Sequence, residues 1–418
     1  MKLDTGRTYI VLEILSLVIF AGLLLGALIH TEFLAGPYYG DEARFFRATL
    51  DLIPFSIEKI AAIKEPSAPT FYLVFSFLIQ ITGNQIAWCR LIVLACLVGS
   101  VLTYRAAALE VTRRHDCPRA LAPLSLMLLL TFPYLIGCGV VYYSDVPALF
   151  FLLLACRAWL AGKTGRTVLW SALALHCRQF AVFFPAGALA FELWRAWRTR
   201  DRKKLWWAWI WLIPPITLMP YALAGRNPFL LRSGNPASPF LPFVKPWQVS
   251  YLLAVCGLYL LPLAVILGRR RWGWKKLASV SAGLMFFFVF MPRPNVYFEI
   301  SDTPIRTLGF MDRALQAACG RTGEMFILAG GMILAMVLHC EIFVQPRAGP
   351  ALDSQVISGT ARHRGFPWMI MAFWGVNLFG TVVWDKYLLL VLPFIFLAAL
   401  THPAFCKAKK NYPGKRML

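Results

Sequence analysis

The stretch Gly36-Pro37-Tyr38-Tyr39-Gly40-Asp41-Glu42 places two adjacent carboxylates soon after an apolar run that ends at Ile29. A carboxylate near low dielectric is costly unless it is paired or used. Asp41 in that position can take the proton of an attacking hydroxyl as a general base. Glu42 can hold the acceptor or a divalent metal. The alternative is a solvated loop start that pairs with Arg44. Arg178-Gln179 is the second feature. It lies midway along an apolar stretch, far from the flanking basic clusters, and an arginine there needs a partner. A lipid-linked phosphate suits the planar guanidinium fork. A structural ion pair with Asp145 or Asp41 serves equally. The adjacent His176 reads as a polar helix residue.

Other stretches frame these two. In Tyr142-Tyr143-Ser144-Asp145-Val146-Pro147, Asp145 stands where a helix starts. It can cap that helix or face a site, and the two readings are compatible. Trp384-Asp385-Lys386-Tyr387 links two apolar helices, and Lys386 either helps hold a phosphate or anchors the interface. In Lys64-Glu65-Pro66-Ser67-Ala68-Pro69-Thr70-Phe71-Tyr72 the prolines fix the entry to a short helix, from which Tyr72 can face the site. The segment 292–324 carries Arg293, Glu299, Asp302, Arg306, Asp312 and Arg313, a mixed set that suggests an ordered loop over the site.

Apolar helices must position all of these groups. Of the 418 residues, 59% are hydrophobic and 15% charged, with a mean hydropathy of +0.63. Soluble domains run to roughly 45–50% apolar and about 25% charged. The remaining solvent for so much apolar surface is lipid. The net charge of +22 comes from 42 basic against 20 acidic residues. The basic residues form short runs between apolar segments: Arg113–Arg114, Lys163 to Arg166, Arg195 to Lys204, Arg269 to Lys276 and Lys407 to Arg416. That is the pattern of cytoplasmic loops and anionic headgroup contacts, and it argues against nucleic acid. The ten cysteines contain no CxxC pair and no metal-ligand spacing, so neither a disulfide framework nor a zinc site is expected.

The spans expected are 9–30, 87–107, 120–140, 145–161, 168–194, 205–223, 249–268, 277–291, 325–343, 366–384 and 387–402, with 69–83 as a helix at the interface. The first run, from Tyr9, reads as a transmembrane helix rather than a signal peptide, with Lys2 and Arg7 on the cytoplasmic side. The run 168–194 has basic flanks at both ends but cannot cross twice, so it is expected to break at Arg178–Gln179, with Pro185 soon after. No stretch alternates like barrel strands. The expected fold is an all-α polytopic transmembrane helix bundle of about 10–12 spans. Residues 1–402 form one catalytic domain with non-cytoplasmic loops at 31–68, 224–248 and 292–324, and 403–418 is a basic cytoplasmic tail.

A first helix, a non-cytoplasmic loop opening with Asp-Glu, and a proline-led short helix with tyrosine together resemble the GT-C superfamily of membrane glycosyltransferases. Pro37 to Glu42, Tyr142 to Asp145, the apolar run Leu149–Ala155 and Arg178-Gln179 resemble more closely the dolichyl-phosphoglucose α-1,2-glucosyltransferase family. That family's patterns are Pro-Tyr-x-Asp-Glu, Tyr-Tyr-Thr-Asp and Arg-Gln-Thr-Asn. Here Gly40 is added, Ser144 replaces threonine, and Phe180-Ala181 follows Arg-Gln. The resemblance covers residues 1–195; the family's His-Pro and Asp-Asn-Arg-His-Tyr stretches have no counterpart in the second half.

The resemblance implies a GT-C-like fold and transfer of a sugar, glucose in α-1,2 linkage as the first choice. The donor would be a polyprenyl or dolichyl phosphate and the acceptor a lipid-linked oligosaccharide, with inversion at the anomeric carbon. It implies Asp41 and Glu42 as catalytic residues, and Arg178 with Lys386 as donor-phosphate ligands. Tyr39, Tyr72, Tyr143, Asp145 and Gln179 then bind substrate or hold the site. No cofactor is assigned, although a divalent metal is compatible with Glu42. The partners are membrane lipid, the lipid-linked donor and a glycan-lipid acceptor. The location is the endoplasmic reticulum membrane in a eukaryote, where the ending Lys415-Arg416-Met417-Leu418 resembles a dilysine retrieval signal, or the plasma membrane in a bacterium. The site faces away from the cytoplasm. A polyprenyl-linked sugar transporter or flippase is the alternative, since broken helices and an intramembrane arginine also suit substrate carriage.

Overall fold

The computed structural model describes residues 6–34, 36, 38–39, 42–62, 68–83, 85–223, 246–263, 273–292, 297–300, 303–306, 310–343, 362–378 and 385–402. In chain order, α1 (Gly6–His30) is followed by α2 (Glu42–Leu50), α3 (Ile57–Ala62), α4 (Pro69–Thr82) and α5 (Ile86–Arg114). Then come α6 (Leu121–Leu130), α7 (Pro133–Gly137), α8 (Asp145–Leu160), α9 (Thr164–Cys177) and α10 (Phe183–Thr199). The next set is α11 (Arg202–Ala208), α12 (Ile213–Ile216), α13 (Met219–Leu223), α14 (Pro246–Tyr259) and α15 (Trp274–Val289). A two-stranded antiparallel hairpin, β1 (Tyr297–Ile300) and β2 (Thr303–Arg306), pairs Tyr297 with Arg306. The chain then forms α16 (Phe310–Phe343), α17 (Phe366–Asn377) and α18 (Leu388–Leu400).

The architecture is a helix bundle in lipid. Apart from Glu13, which pairs with Arg105 of α5, helix α1 is apolar round most of its surface, yet Ile10, Val11, Leu17, Val18, Leu25 and Ile29 are exposed. An apolar helix surface that protein does not cover belongs against acyl chains. Among the described residues, three helices are long and apolar enough to cross a bilayer: Arg7–His30, Ile86–Arg114 and Arg313–Phe343. Others expected as single spans are segmented. The run 120–140 divides into α6 and α7 because Phe132, ahead of Pro133, is extended at φ −76° and ψ 112°. The run 205–223 divides into α11, a 3-10 turn at Trp209–Leu212, α12 and α13. Pro214, Pro215 and Pro220 deny that stretch continuous backbone donors.

The segment 292–324 also departs from the loop expected there. It contains the hairpin, the described exception to an all-helical chain, and α16 begins at Phe310 rather than at 325. Gly320, at φ 65° and ψ 179°, lets α16 kink. The short helix α4 buries Phe71, Tyr72, Phe75 and Ile79 and leaves Val74, Phe77 and Ile81 exposed. Cys117 is disulfide-bonded, although the sequence leads to no expectation of a disulfide framework.

The centre of the bundle is α18, whose residues from Leu388 to Leu400 are all buried under α5, α6, α8 and α17. Helix α8 packs on α5 and α9, and α10 packs on α17. Small residues permit the closest crossings. A Cβ on Gly257 of α14 would lie 1.8 Å from the Gly331 carbonyl oxygen of α16, and one on Gly187 would lie 2.4 Å from Met369 Cα. Such backbone approach is how helices associate where hydrophobic burial gives no net drive.

Candidate active site

Two buried guanidiniums organise the end of the bundle where α2 and α8 begin. The first belongs to Arg90, in the second turn of α5 and completely buried. Its Nε donates to Glu42 Oε1 at 2.9 Å and its Nη2 to Glu42 Oε2 at 2.7 Å, while Nη1 donates to the Phe33 carbonyl at 2.8 Å. Glu42 also accepts from the backbone N–H of Tyr142 at 2.6 Å and of Tyr39 at 3.1 Å. Each carboxylate oxygen therefore takes two hydrogen bonds. This knot ties the chain after α1 to α5 and to the segment that enters α8. A buried pair so fully satisfied costs about 3–5 kcal/mol to break from one side. Arg90 carried no flag in the sequence. It reads as the basic flank of an apolar run, and only its partner gives it away.

The second guanidinium is that of Arg178. Helix α9 ends at Cys177, Arg178 is extended at φ −147° and ψ 118°, and a 3-10 turn at Gln179–Val182 leads into α10. The break falls at the residue pair expected. It frees Arg178 from helical geometry and turns its side chain into protein. Arg178 Nε lies 3.1 Å from Asp145 Oδ1, and its Nη1 donates to Ser144 Oγ at 3.3 Å. Of the two partners expected for Arg178, Asp145 and Asp41, the ion pair is made with Asp145. The capping reading does not hold: Ser144 occupies the cap position, Asp145 is the first helical residue, and no side chain caps the helix. Pro147 has no N–H at the position a cap would normally address.

Lys386 joins this pair from the other end of the chain. It is 4% exposed, and its Nζ lies 4.9 Å from the Tyr143 ring centre. The Arg178 guanidinium lies 5.5 Å from the ring centre of Tyr387, the next residue. Asp145, Arg178 and Lys386 all lie within electrostatic reach of Cys138. Two cations and one carboxylate thus share a buried, aromatic-walled corner in which charge interactions are strong. Lys386 is held there because it precedes α18, the most deeply buried helix.

Of the remaining residues named from the sequence, Tyr72 lies within electrostatic reach of Arg178. Tyr72 is fully buried, with its ring 6.0 Å from Phe45, which in turn lies 5.4 Å from Tyr143. Tyr39 binds Glu42 through its N–H, and its hydroxyl donates to the His30 carbonyl at 3.3 Å. Gln179 opens the 3-10 turn and is half-buried. Asp41, with Pro37 and Gly40, lies outside the described residues, as do Lys64 to Ser67 and Trp384. His176 does more than decorate a helix. Its Nδ1 meets Thr70 Oγ1 at 2.8 Å and its Nε2 meets Thr217 Oγ1 at 3.1 Å, joining α4, α9 and the end of α12.

Comparison with known proteins finds a family match that takes in Asp145 and Arg178 of this corner. Residues 66–206 match the model of the DIE2/ALG10 family. This is the dolichyl-phosphoglucose glucosyltransferase family that the N-terminal motifs resemble. The match takes in Tyr72, Arg90, Tyr142 to Asp145 and Arg178-Gln179, and leaves out Asp41, Glu42 and Lys386. No curated protein and no solved structure matches the chain.

Proposed function

We propose that the protein is a membrane glycosyltransferase that takes a hexose, glucose first, from a polyprenyl- or dolichyl-phosphate carrier and passes it to a lipid-linked glycan. The observation that carries this reading is the buried corner itself. A helix is interrupted to bring Arg178 beside Asp145, and the second cation, Lys386, arrives from a distant segment. A transporter would also use an interrupted helix. The family match across residues 66–206 favours transfer.

In this mechanism Arg178 and Lys386 hold the donor phosphate, with Asp145 orienting the guanidinium. Glu42, whose oxygens are saturated by Arg90, Tyr142 and Tyr39, acts as the positioning residue that sets the start of α2 and thereby the adjacent Asp41. Asp41 takes the proton of the acceptor hydroxyl. The hydroxyl oxygen bonds to the anomeric carbon as the bond from that carbon to the phosphate oxygen breaks, with inversion. The carrier phosphate leaves with the electron pair, and the two cations stabilise its developing charge. The active site lies on the non-cytoplasmic side.

The test is a transfer assay on purified protein in lipid, offering polyprenyl-phosphate glucose, mannose and aminoarabinose with a pool of lipid-linked oligosaccharide acceptors. Transfer by the parent and none by Asp41→Asn, with both equally folded, is the expected result. No transfer with any donor, together with saturable uptake of a lipid-linked sugar into vesicles, would replace this reading by transport.

A further inference from the structure

A second charged pocket lies at the opposite end of α8 and α10. Its volume is about 290 Å³, and its walls include Glu192, Arg195, Lys204, Trp207, Trp211 and Arg362. At about 1.5 Å per residue, Trp159, which packs behind the lining residues Arg362 and Trp211, is about 21 Å along α8 from Asp145. The pocket is therefore separate from the corner that holds Arg178. Its floor is braced: Trp159 Nε1 donates to the Arg362 carbonyl at 2.8 Å, the Arg362 guanidinium sits 4.9 Å from the Trp159 ring centre, and Trp211 packs 5.2 Å from the same ring.

The charges do not balance. Arg195 pairs with Glu192 at 3.2 Å, and Lys204 pairs with Asp201 at 3.2 Å on the rim. Arg362 remains as a third cation against these two carboxylates, a net formal charge of +1 among the groups named. Arg195 Nε is buried and has no hydrogen-bond partner among the described residues. Burial and the nearby Arg195 hold the Arg362 pKa below the usual guanidinium range, as expected of a cation placed where an anion is wanted.

The surroundings are those of a membrane interface. Trp197, Trp206, Trp207 and Trp209 are 78%, 77%, 64% and 49% exposed. They sit beside the basic run Arg202-Lys203-Lys204 that opens the short helix α11. Exposed tryptophans next to lysine and arginine mark the headgroup level of a bilayer, and basic pockets between helices at that level take phospholipid headgroups.

We propose that this pocket binds the phosphate of an anionic phospholipid, with Arg195, Lys204 and Arg362 as its ligands and the exposed tryptophans seating the glycerol and upper chains. One phosphodiester charge neutralises the surplus. The inference rests on the membrane setting and not on the glycosyltransferase reading.

The test is native mass spectrometry of detergent-purified protein titrated with phosphatidylinositol or phosphatidylcholine, with and without millimolar inorganic phosphate. Both lipids carry the phosphodiester, but the quaternary ammonium of phosphatidylcholine cancels its charge and is repelled by the surplus cation of the pocket, so the parent should favour phosphatidylinositol by at least about tenfold. The Arg195→Gln/Arg362→Gln double variant should lose that preference. Lys204→Gln, at the rim, should weaken it about threefold and decides the matter if the double variant fails to reach the parent's melting temperature. Equal affinity for the two lipids, or an undiminished preference in folded variants, would overturn the proposal. Displacement of the lipid by inorganic phosphate would overturn it in favour of a soluble anion.

Discussion

The ion pair between Arg178 and Asp145 separates a structural role from a substrate-binding one. Replacing Arg178 by glutamine leaves the Asp145 carboxylate buried, and among the described residues neither of its oxygens accepts a hydrogen bond. Stranding a buried charge in this way costs about 3–5 kcal/mol. Asp145→Asn strands the guanidinium and costs a similar amount, less what Ser144 Oγ and the Tyr387 ring retain. The double variant Asp145→Asn/Arg178→Gln removes both charges of the pair but leaves Lys386 as a buried cation beside them, so part, not all, of the stability should return. Activity should not return with it. If Arg178 contacts the donor phosphate, its loss removes about 1.5–3 kcal/mol of charge-assisted binding, or roughly 10- to 100-fold in kcat/KM. Melting temperature in lipid and sugar transfer from a polyprenyl-phosphate donor would be measured for all four proteins. Recovery of stability and activity together in the double variant would refute the phosphate role and leave a purely structural pair.

Four other outcomes are expected. Arg90→Met should destabilise the protein by about 3–5 kcal/mol, because it leaves Glu42 buried and charged, as read by thermal unfolding in detergent; a loss below 1 kcal/mol, on the same order-of-magnitude scale, would mean the knot is dispensable. Lys386→Met should raise KM for the lipid-linked donor about tenfold with little change in melting temperature, and an unchanged KM would remove it from the site. Gly257→Ala should cost about 1–3 kcal/mol by overpacking, since its Cβ would meet the Gly331 carbonyl; wild-type stability would show that α14 and α16 separate freely. His363, whose ring centre lies 4.1 Å from that of His115, has its pKa pushed down from 6.5 to about 3 by burial, by His115, and by Arg364 and Arg114. Between those values the unfolded chain binds more protons, so stability is full above pH 6.5 and declines toward pH 3 by at most about 1.4 kcal/mol per pH unit. Unfolding followed from pH 8 to pH 5 should be flatter for His363→Asn than for the parent.

The parts of this site that could be read from the sequence were those that violate the chemistry of their surroundings. Arg178 stands out because it interrupts an apolar run whose basic flanks want the same side, and the same conflict locates the helix break. Arg90 is just as buried but lies near the start of its run, where an arginine usually snorkels to the interface. Its pairing with Glu42 is a contact across 48 positions of sequence that no local pattern encodes. The segmentation of 120–140 and 205–223 was partly visible in Pro133, Pro214 and Pro215, but hydropathy averages over single prolines and returns one continuous span. The earlier start of α16, at Phe310 rather than 325, has a similar cause. Charged residues such as Arg313 and Arg321 read as loop, whereas helix α16 continues through them.

The two carboxylates that flank the site also differ in what they leave available. Among the described residues Glu42 accepts four hydrogen bonds and Asp145 none, although both are fully buried. Between them runs the four-residue stretch Tyr142 to Asp145, anchored at one end by Glu42 through the Tyr142 N–H and at the other by Arg178 through Ser144 Oγ. A saturated carboxylate resists rearrangement, because any displacement strands several buried partners at once. A carboxylate held by a 3.1 Å ion pair and, among the described residues, by no hydrogen bond gives way more readily, and an arriving phosphate offers the guanidinium a better match than one carboxylate oxygen. The fixed pair can thus set the backbone while the looser pair exchanges its anion. That division of labour requires Asp145→Asn to alter donor affinity far more than Glu42→Gln does in whatever fraction of each variant remains folded.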